Sequence, residues 1–184
     1  ATSLILLIAS IIGIYQIKIS GSIIDDMPKK SQFYKDISFF EQEFNGIMPL
    51  EIMINTKRKK GVMKLATLKR MNDLEDLIVD IPELSKPISV VSLVKYSKQA
   101  YYNGNPKYYQ LPTSQENSFI LSYAQKSSSD VDMLKNFVDS TGQYARITTF
   151  MKDVKIEKME RIEEDLRAKI TKLFPDDRYE VTIT

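Results

Sequence analysis

The chain has 184 residues, 43% hydrophobic and 27% charged, a balance that fits a folded globular protein and not a disordered or collagenous one. Twenty-six Lys and Arg against 24 Asp and Glu leave a net charge of +2, so no basic footprint points to nucleic acid. With neither His nor Cys, the chain cannot build His-based triads, Cys nucleophiles, Cys/His zinc sites or disulfides; Ser, Lys, Tyr and carboxylate chemistry remain open. The lack of Cys also suits an oxidising compartment.

Ala1 to Ile17 carry no charge, and the first is Lys18. Leu4, Ile5, Leu6, Leu7, Ile8, Ile11, Ile12, Ile14 and Ile17 leave this segment without a polar face, so a helix here cannot lie half in water. The run falls slightly short of the roughly 20 residues that span a bilayer. Residues 1–19 are therefore expected to be the end of a transmembrane helix, with Tyr15 and Lys18 anchoring it at the interface. A signal peptide and a buried core helix are the alternatives. Residues 20–48 read as a linker: Gly21, Pro28 and mixed charges, then a short amphipathic helix over Tyr34 to Phe44 with Ile37, Phe40 and Phe44 at helical spacing. Asn45-Gly46 ends it, with Gly expected in the left-handed conformation.

Residues 49–184 read as one α+β domain. A strand opens at Pro49, with Leu50, Ile52 and Ile54 on one side. After the charged turn Lys57 to Lys60, Val62 to Ile81 predicts an amphipathic helix that Pro82 stops. Pro87 to Leu93, with Ile88, Val90 and Val91, predicts a second strand. Tyr144 to Met151 is a third, rich in β-branched and aromatic residues. Asp153 is placed to cap a helix from about Val154 to Phe174, striped by Met159, Ile162, Leu166, Ile170 and Leu173. Its charged face offers the i,i+4 pairs Glu163–Arg167 and Asp165–Lys169. Tyr179, Val181 and Ile183 alternate in a last strand. Two strand–helix–strand units thus flank an insert over about 94–142, the order of a ferredoxin-like split βαβ sandwich with both long helices on one face of the sheet. The insert is too long for a structureless loop. Val94 to Tyr102, Gln115 to Gln125 and Val131 to Val138 predict helix, and Asn103-Gly104-Asn105-Pro106 a tight turn.

The stretch Phe39-Phe40-Glu41-Gln42-Glu43-Phe44-Asn45-Gly46-Ile47-Met48-Pro49-Leu50-Glu51-Ile52, following an apolar helix end and a linker, resembles the segment after the first membrane helix of a half in resistance–nodulation–division (RND) transporters. The nearest likeness is to the branch of Patched-like and large-mycobacterial-membrane-protein-like exporters. Val90-Val91-Ser92-Leu93 resembles that family's Val-x-Ser-Leu segment, and Tyr179 to Thr184 its strand returning to the membrane. The resemblance covers nearly the whole chain, carried by the order of elements more than by any one motif. It implies a porter domain outside the cytoplasm, at the inner membrane, of an exporter fed by the proton gradient and guiding hydrophobic or lipid-like cargo. Its partners would be the membrane, the other porter domain and the membrane helices of the same transporter. The proton-relay acids of that family lie in membrane helices beyond these residues, so the resemblance names no coupling residue here.

No catalytic set is assembled by the sequence. Glu163, Glu164 and Asp165 read as a solvated helix face, and Glu51 lies on the polar side of its strand with no partner acid in view. Lys57-Arg58-Lys59-Lys60 reads as a solvated turn. There is no Gly-rich phosphate loop and no cofactor motif. Met48, Met53, Met63, Met71, Met151 and Met159 sit on or near apolar stripes and read as core filling. The candidate contact residues are Tyr101, Tyr102, Tyr108 and Tyr109, which bracket the Asn-Gly-Asn-Pro turn. They suit contact with an apolar cargo, a partner or the membrane surface, and equally suit packing of the insert onto the sheet. Three classes of function remain after this reading: a transporter's porter domain, a membrane-anchored sensor or binding module, and a secreted carboxylate enzyme, which would need a cleft with paired, pKa-shifted acids.

Overall fold

A computed structural model describes Ser10, Ile24 and residues 27–126 and 133–184. The expected membrane segment at 1–19 lies outside the described residues apart from Ser10, and no helix among the described residues is long and apolar enough to cross a membrane.

The fold is mixed α+β. In chain order the elements are helix α1 (Gln32–Phe44), strand β1 (Met48–Asn55), helix α2 (Leu65–Val79), helix α3 (Val90–Tyr101), a 3-10 turn (Pro106–Tyr108), helix α4 (Asn117–Lys126), strand β2 (Tyr144–Met151), helix α5 (Ile156–Leu173) and strand β3 (Glu180–Ile183). The strands form an antiparallel sheet in the order β2-β1-β3. Ile52 lies opposite both Ile147 and Ile183 across the sheet. Residues on one face of the pleat, Ile52 and Ile54 of β1 and Ala145, Ile147 and Met151 of β2, are buried. They share a core with Leu68, Met71, Leu74 and Ile78 of α2 and Ile162, Leu166 and Ile170 of α5, so both long helices pack on that face as their stripes predict. Met53, Tyr144 and Phe150 stand on the opposite, solvated face.

The second expected strand is corrected. Val90 to Leu93 is the first turn of α3, not part of a strand at Pro87 to Leu93. The Ser89 hydroxyl accepts the Val91 amide at 2.9 Å, and this N-cap commits the valines to helix. Val90, Val91 and Val94 then bury together, a helical spacing that β-branched residues hid from a period-two reading. The pairing to β2 comes earlier and is irregular. Isolated antiparallel bridges join Leu84 to Met151 and Ile88 to Thr148. Between them the Ser85 hydroxyl accepts the Phe150 amide at 2.9 Å, a side chain standing in for the backbone ladder. Thr149 completes the exchange, its hydroxyl donating to the Ser85 carbonyl at 2.6 Å.

Other differences are local. The left-handed residue ending α1 is Asn45 (φ 58°), and its side chain is anchored by donating to the Leu84 carbonyl at 2.7 Å. Gly46 is needed for closeness: at φ 151° a Cβ there would stand 2.8 Å from the backbone of Phe150 and Met151. Asp153 is not the cap of α5, whose N-cap is Lys155 without a side-chain bond. It bonds the opposite way along the chain. Its carboxylate accepts the Ile24 amide and its own amide donates to Glu41, both at 2.7 Å. Part of the 20–48 segment is therefore fastened to the domain. In the expected helix Val131 to Val138, Val131 and Asp132 lie outside the described residues; Met133 and Leu134 are helical, 135–137 turn, and Val138 bridges Ala145. The two i,i+4 pairs of α5 form as expected, each at 2.7 Å.

Candidate functional site

The insert is held to the scaffold by α3. Its apolar flank, Val90, Val91 and Val94, lies in the core, so its far end projects outward with Tyr101 and Tyr102. The chain then reverses at Asn103 (φ 58°) and Gly104 (φ 75°). Asn105 accepts the Lys107 amide at 3.1 Å and starts the 3-10 turn that carries Tyr108. Thr113 and Glu116 form a capping box, with the Thr113 amide donating to the Glu116 carboxylate at 2.8 Å and the Glu116 amide to the Thr113 hydroxyl at 3.3 Å. This box launches α4, which brings Phe119 and Tyr123 back beside Tyr101.

Five rings meet there. Tyr101 lies 5.3 Å from Tyr102, 5.3 Å from Phe119 and 5.5 Å from Tyr123, centroid to centroid. Tyr102 stacks on Tyr108 at 4.1 Å. These are edge-on and offset geometries that favour aromatic pairs. Three of the four tyrosines singled out in the sequence are thus brought together. Tyr109 is not: it turns toward Lys86, whose ammonium stands 6.0 Å over its ring. The described ring contacts bind the pieces of the insert to one another, not to the sheet. Phe119 and Tyr123 escaped the sequence reading, although their spacing of four on a predicted helix was the available signal.

The cluster has two sides. Tyr102 and Tyr108 are half-buried and form the inner layer; Tyr101, Phe119 and Tyr123 keep 45%, 38% and 39% of their surface exposed. The inner layer is tied by one carboxylate. Glu116 accepts the Tyr102 hydroxyl at 2.8 Å and the Lys98 ammonium at 2.8 Å. The Lys98 ammonium, followed by the Thr113 amide, holds the Glu116 carboxyl down to about 2. Glu116 in turn raises the Tyr102 phenol above its ordinary value and keeps it protonated. The result is an aromatic platform with the Tyr102 hydroxyl turned inward to Glu116 and three ring surfaces outward, an arrangement suited to apolar contact.

A second buried carboxylate lies at the root of the insert. Glu75 of α2 is 5% exposed and accepts the Ser89 hydroxyl, the cap of α3, at 2.5 Å. Burial pushes its carboxyl up to about 7; the Ser89 bond and Lys95 and Lys86 pull the other way, and Asp76 adds to the rise. Between pH 4.5 and 7 the folded chain therefore holds a proton that the unfolded chain releases. Stability from this group is fully present below 4.5 and falls as pH rises through 7, by about 3 kcal/mol at most for a shift of this size. In Glu75→Gln the melting temperature relative to the parent should climb between pH 5 and pH 8. A parallel pair of melting curves across that range would contradict the assignment.

No protein-family model matches the chain, and no curated protein matches it.

Proposed function

We propose that residues 49–184 are an extracytoplasmic porter-type domain, ferredoxin-like in its split βαβ plan, of a proton-driven RND exporter in the Patched-like and large-mycobacterial-membrane-protein-like branch. On this reading the domain is non-catalytic, stands at the outer face of the inner membrane and offers its insert to hydrophobic or lipid-like cargo or to the neighbouring porter domain. The plan is supported by the bridges of Leu84 and Ile88 to β2, which put that segment beyond β2 and give four neighbours with both helices on one face. The single observation that carries the function is the outward surface of Tyr101, Phe119 and Tyr123, mounted on an inner layer locked by Glu116. Binding surfaces are commonly carried this way, on connecting segments positioned by a rigid scaffold, and Tyr contributes contact area with little rotamer entropy to lose.

The test is binding of a fluorescent apolar probe such as N-phenylnaphthylamine to the chain, followed by export from cells carrying the intact transporter. Replacing Tyr101, Phe119 and Tyr123 by Ser removes three ring contacts worth about 0.5–1.5 kcal/mol each, and should weaken probe binding roughly tenfold or more. Export should fall in parallel while circular dichroism holds. Tyr102→Ser is the contrasting variant, since its hydroxyl and ring are structural, and it should lower the melting temperature as well. Unchanged probe binding and export in the triple variant would reject the insert as the contact surface.

A further inference from the structure

Helix α1 carries an aromatic stripe that nothing in the described chain covers. Phe33, Phe40 and Phe44 recur along one side of the helix and are 61%, 53% and 59% exposed. Phe40 and Phe44 stack at 5.6 Å, with Phe39 edge-on to Phe40 at 5.8 Å. Three rings more than half exposed present roughly 300 Å² of apolar surface, the scale at which a patch marks an interaction site. The flank of α1 beside the stripe is fastened to the domain through Glu41 and Asn45, which leaves the rings themselves facing out.

The same attachment says where the stripe stands. Asp153 grips Ile24 by its carboxylate and Glu41 by its amide. Glu41 lies between Phe40 and Phe44, so the stripe is next to the point where Ile24 is held. Ile24 follows Ile17, the last residue of the uncharged apolar run, by seven residues. Seven residues reach at most about 25 Å when fully extended. Whatever holds the apolar run therefore lies within that distance of Ile24, which Asp153 ties to Glu41 of α1. Across 29–44, Lys29, Lys30 and Lys35 are matched by Asp36, Glu41 and Glu43, so the segment has no net charge with which to seek an anionic surface. Its exposed apolar feature is the row of rings.

We propose that the Phe33, Phe40 and Phe44 face of α1 lies in the bilayer interface and seats the domain on the membrane. This rests on reading Ala1–Ile17 as the end of a membrane span. Amphipathic helices rest at this depth, with their apolar side buried about 5–10 Å into the headgroup and acyl boundary. The contact is apolar, not electrostatic, and takes the ring side of α1 without help from anionic lipid.

The chain has no Trp, so a single introduced indole reports one position. Phe40→Trp is reconstituted in phosphatidylcholine vesicles, with and without phosphatidylglycerol, some containing lipid brominated near the headgroup end of the acyl chain. Ile11→Trp reports the apolar run. Tyr144→Trp, seven residues from Met151 and so about 23 Å away along β2, is the distant reference. The expected result is a blue shift and loss of Phe40→Trp emission to brominated lipid, equal in both lipid mixtures, with Tyr144→Trp unaffected. Loss at Ile11→Trp but not at Phe40→Trp would overturn the seating of α1 and leave the span reading standing. Loss at neither would remove the span reading and this proposal with it. A blue shift of Phe40→Trp that follows protein concentration and not lipid would also overturn it, assigning the stripe to a second copy of the chain.

Discussion

Replacing Glu116 by Ala should destabilise the chain by about 3–5 kcal/mol, the usual consequence of removing one partner of a buried ion pair. The reason is Lys98. Its side chain is 3% exposed, and its ammonium has the Glu116 carboxylate at 2.8 Å, with only a long contact to the Leu111 carbonyl at 3.4 Å besides. Without Glu116 a charge is left in a place that water does not reach. The reverse substitution is milder. Lys98→Met keeps the aliphatic packing and removes the charge, while Glu116, whose side chain is 17% exposed, still accepts from Tyr102 and Thr113. Urea unfolding should therefore rank Glu116→Ala well below Lys98→Met, and the double variant Lys98→Met/Glu116→Leu above Glu116→Ala. Equal losses in the two single variants would mean that Lys98 is not the stranded group. The pair also has a definite pH range. Because the Glu116 carboxyl is held down to about 2, its contribution is complete above 4.5 and is lost as pH falls from there toward 2, opposite in sign to that of Glu75.

Leu166→Ala should cost about 2–5 kcal/mol. Leu166 is fully buried midway along the stripe of α5, between Ile162 and Ile170, against a sheet face that includes Ile52 and Ile147. Truncation removes its transfer energy and leaves a cavity that the sheet cannot close without losing register. For a chain of this size that corresponds to a melting temperature lower by roughly 5–15 °C. Glu164→Ala, one turn-face away and exposed, should change it little, within about 0.5 kcal/mol. A melt in which both variants behave alike would mean that α5 does not bury the stripe assigned to it.

These two residues also mark how much could be read without coordinates. Leu166 was legible because α5 has an unbroken stripe and a charged back, so periodicity alone settles which face is inside. Strand β2 was legible to the residue, its alternation being that of a half-buried strand. The segment before α3 was not. Its pairing depends on a Ser side chain and two isolated bridges, which leave no alternation to detect, and the valines after it carry a strand propensity that a single cap at Ser89 overrides. Asn45 took the left-handed position expected of Gly46 because the close approach to β2 claims the glycine. In the insert, the tyrosine pairs announced themselves by crowding around a turn. Lys98 did not, since one lysine in a mixed helix reads as solvated and its burial depends on a carboxylate eighteen residues away. Glu75 was hidden for the same reason.

The two ends of the insert leave and rejoin the sheet close together. Ile88 bridges Thr148 and Val138 bridges Ala145, so fifty residues of chain depart and return at points three residues apart on one strand, about 10 Å. Such an excursion behaves as an exchangeable cassette. The sheet and its two helices need both bridging points at the outer edge of β2 and the start of α3 seated in the core through Val90, Val91 and Val94, and the ring-bearing chain beyond them is held chiefly by contacts within itself. A replacement that keeps the start of α3 and exchanges the ring-bearing segment beyond it would leave the register of β1 and β2 undisturbed, and the contact surface would then vary apart from the buried valines that help give the domain its stability.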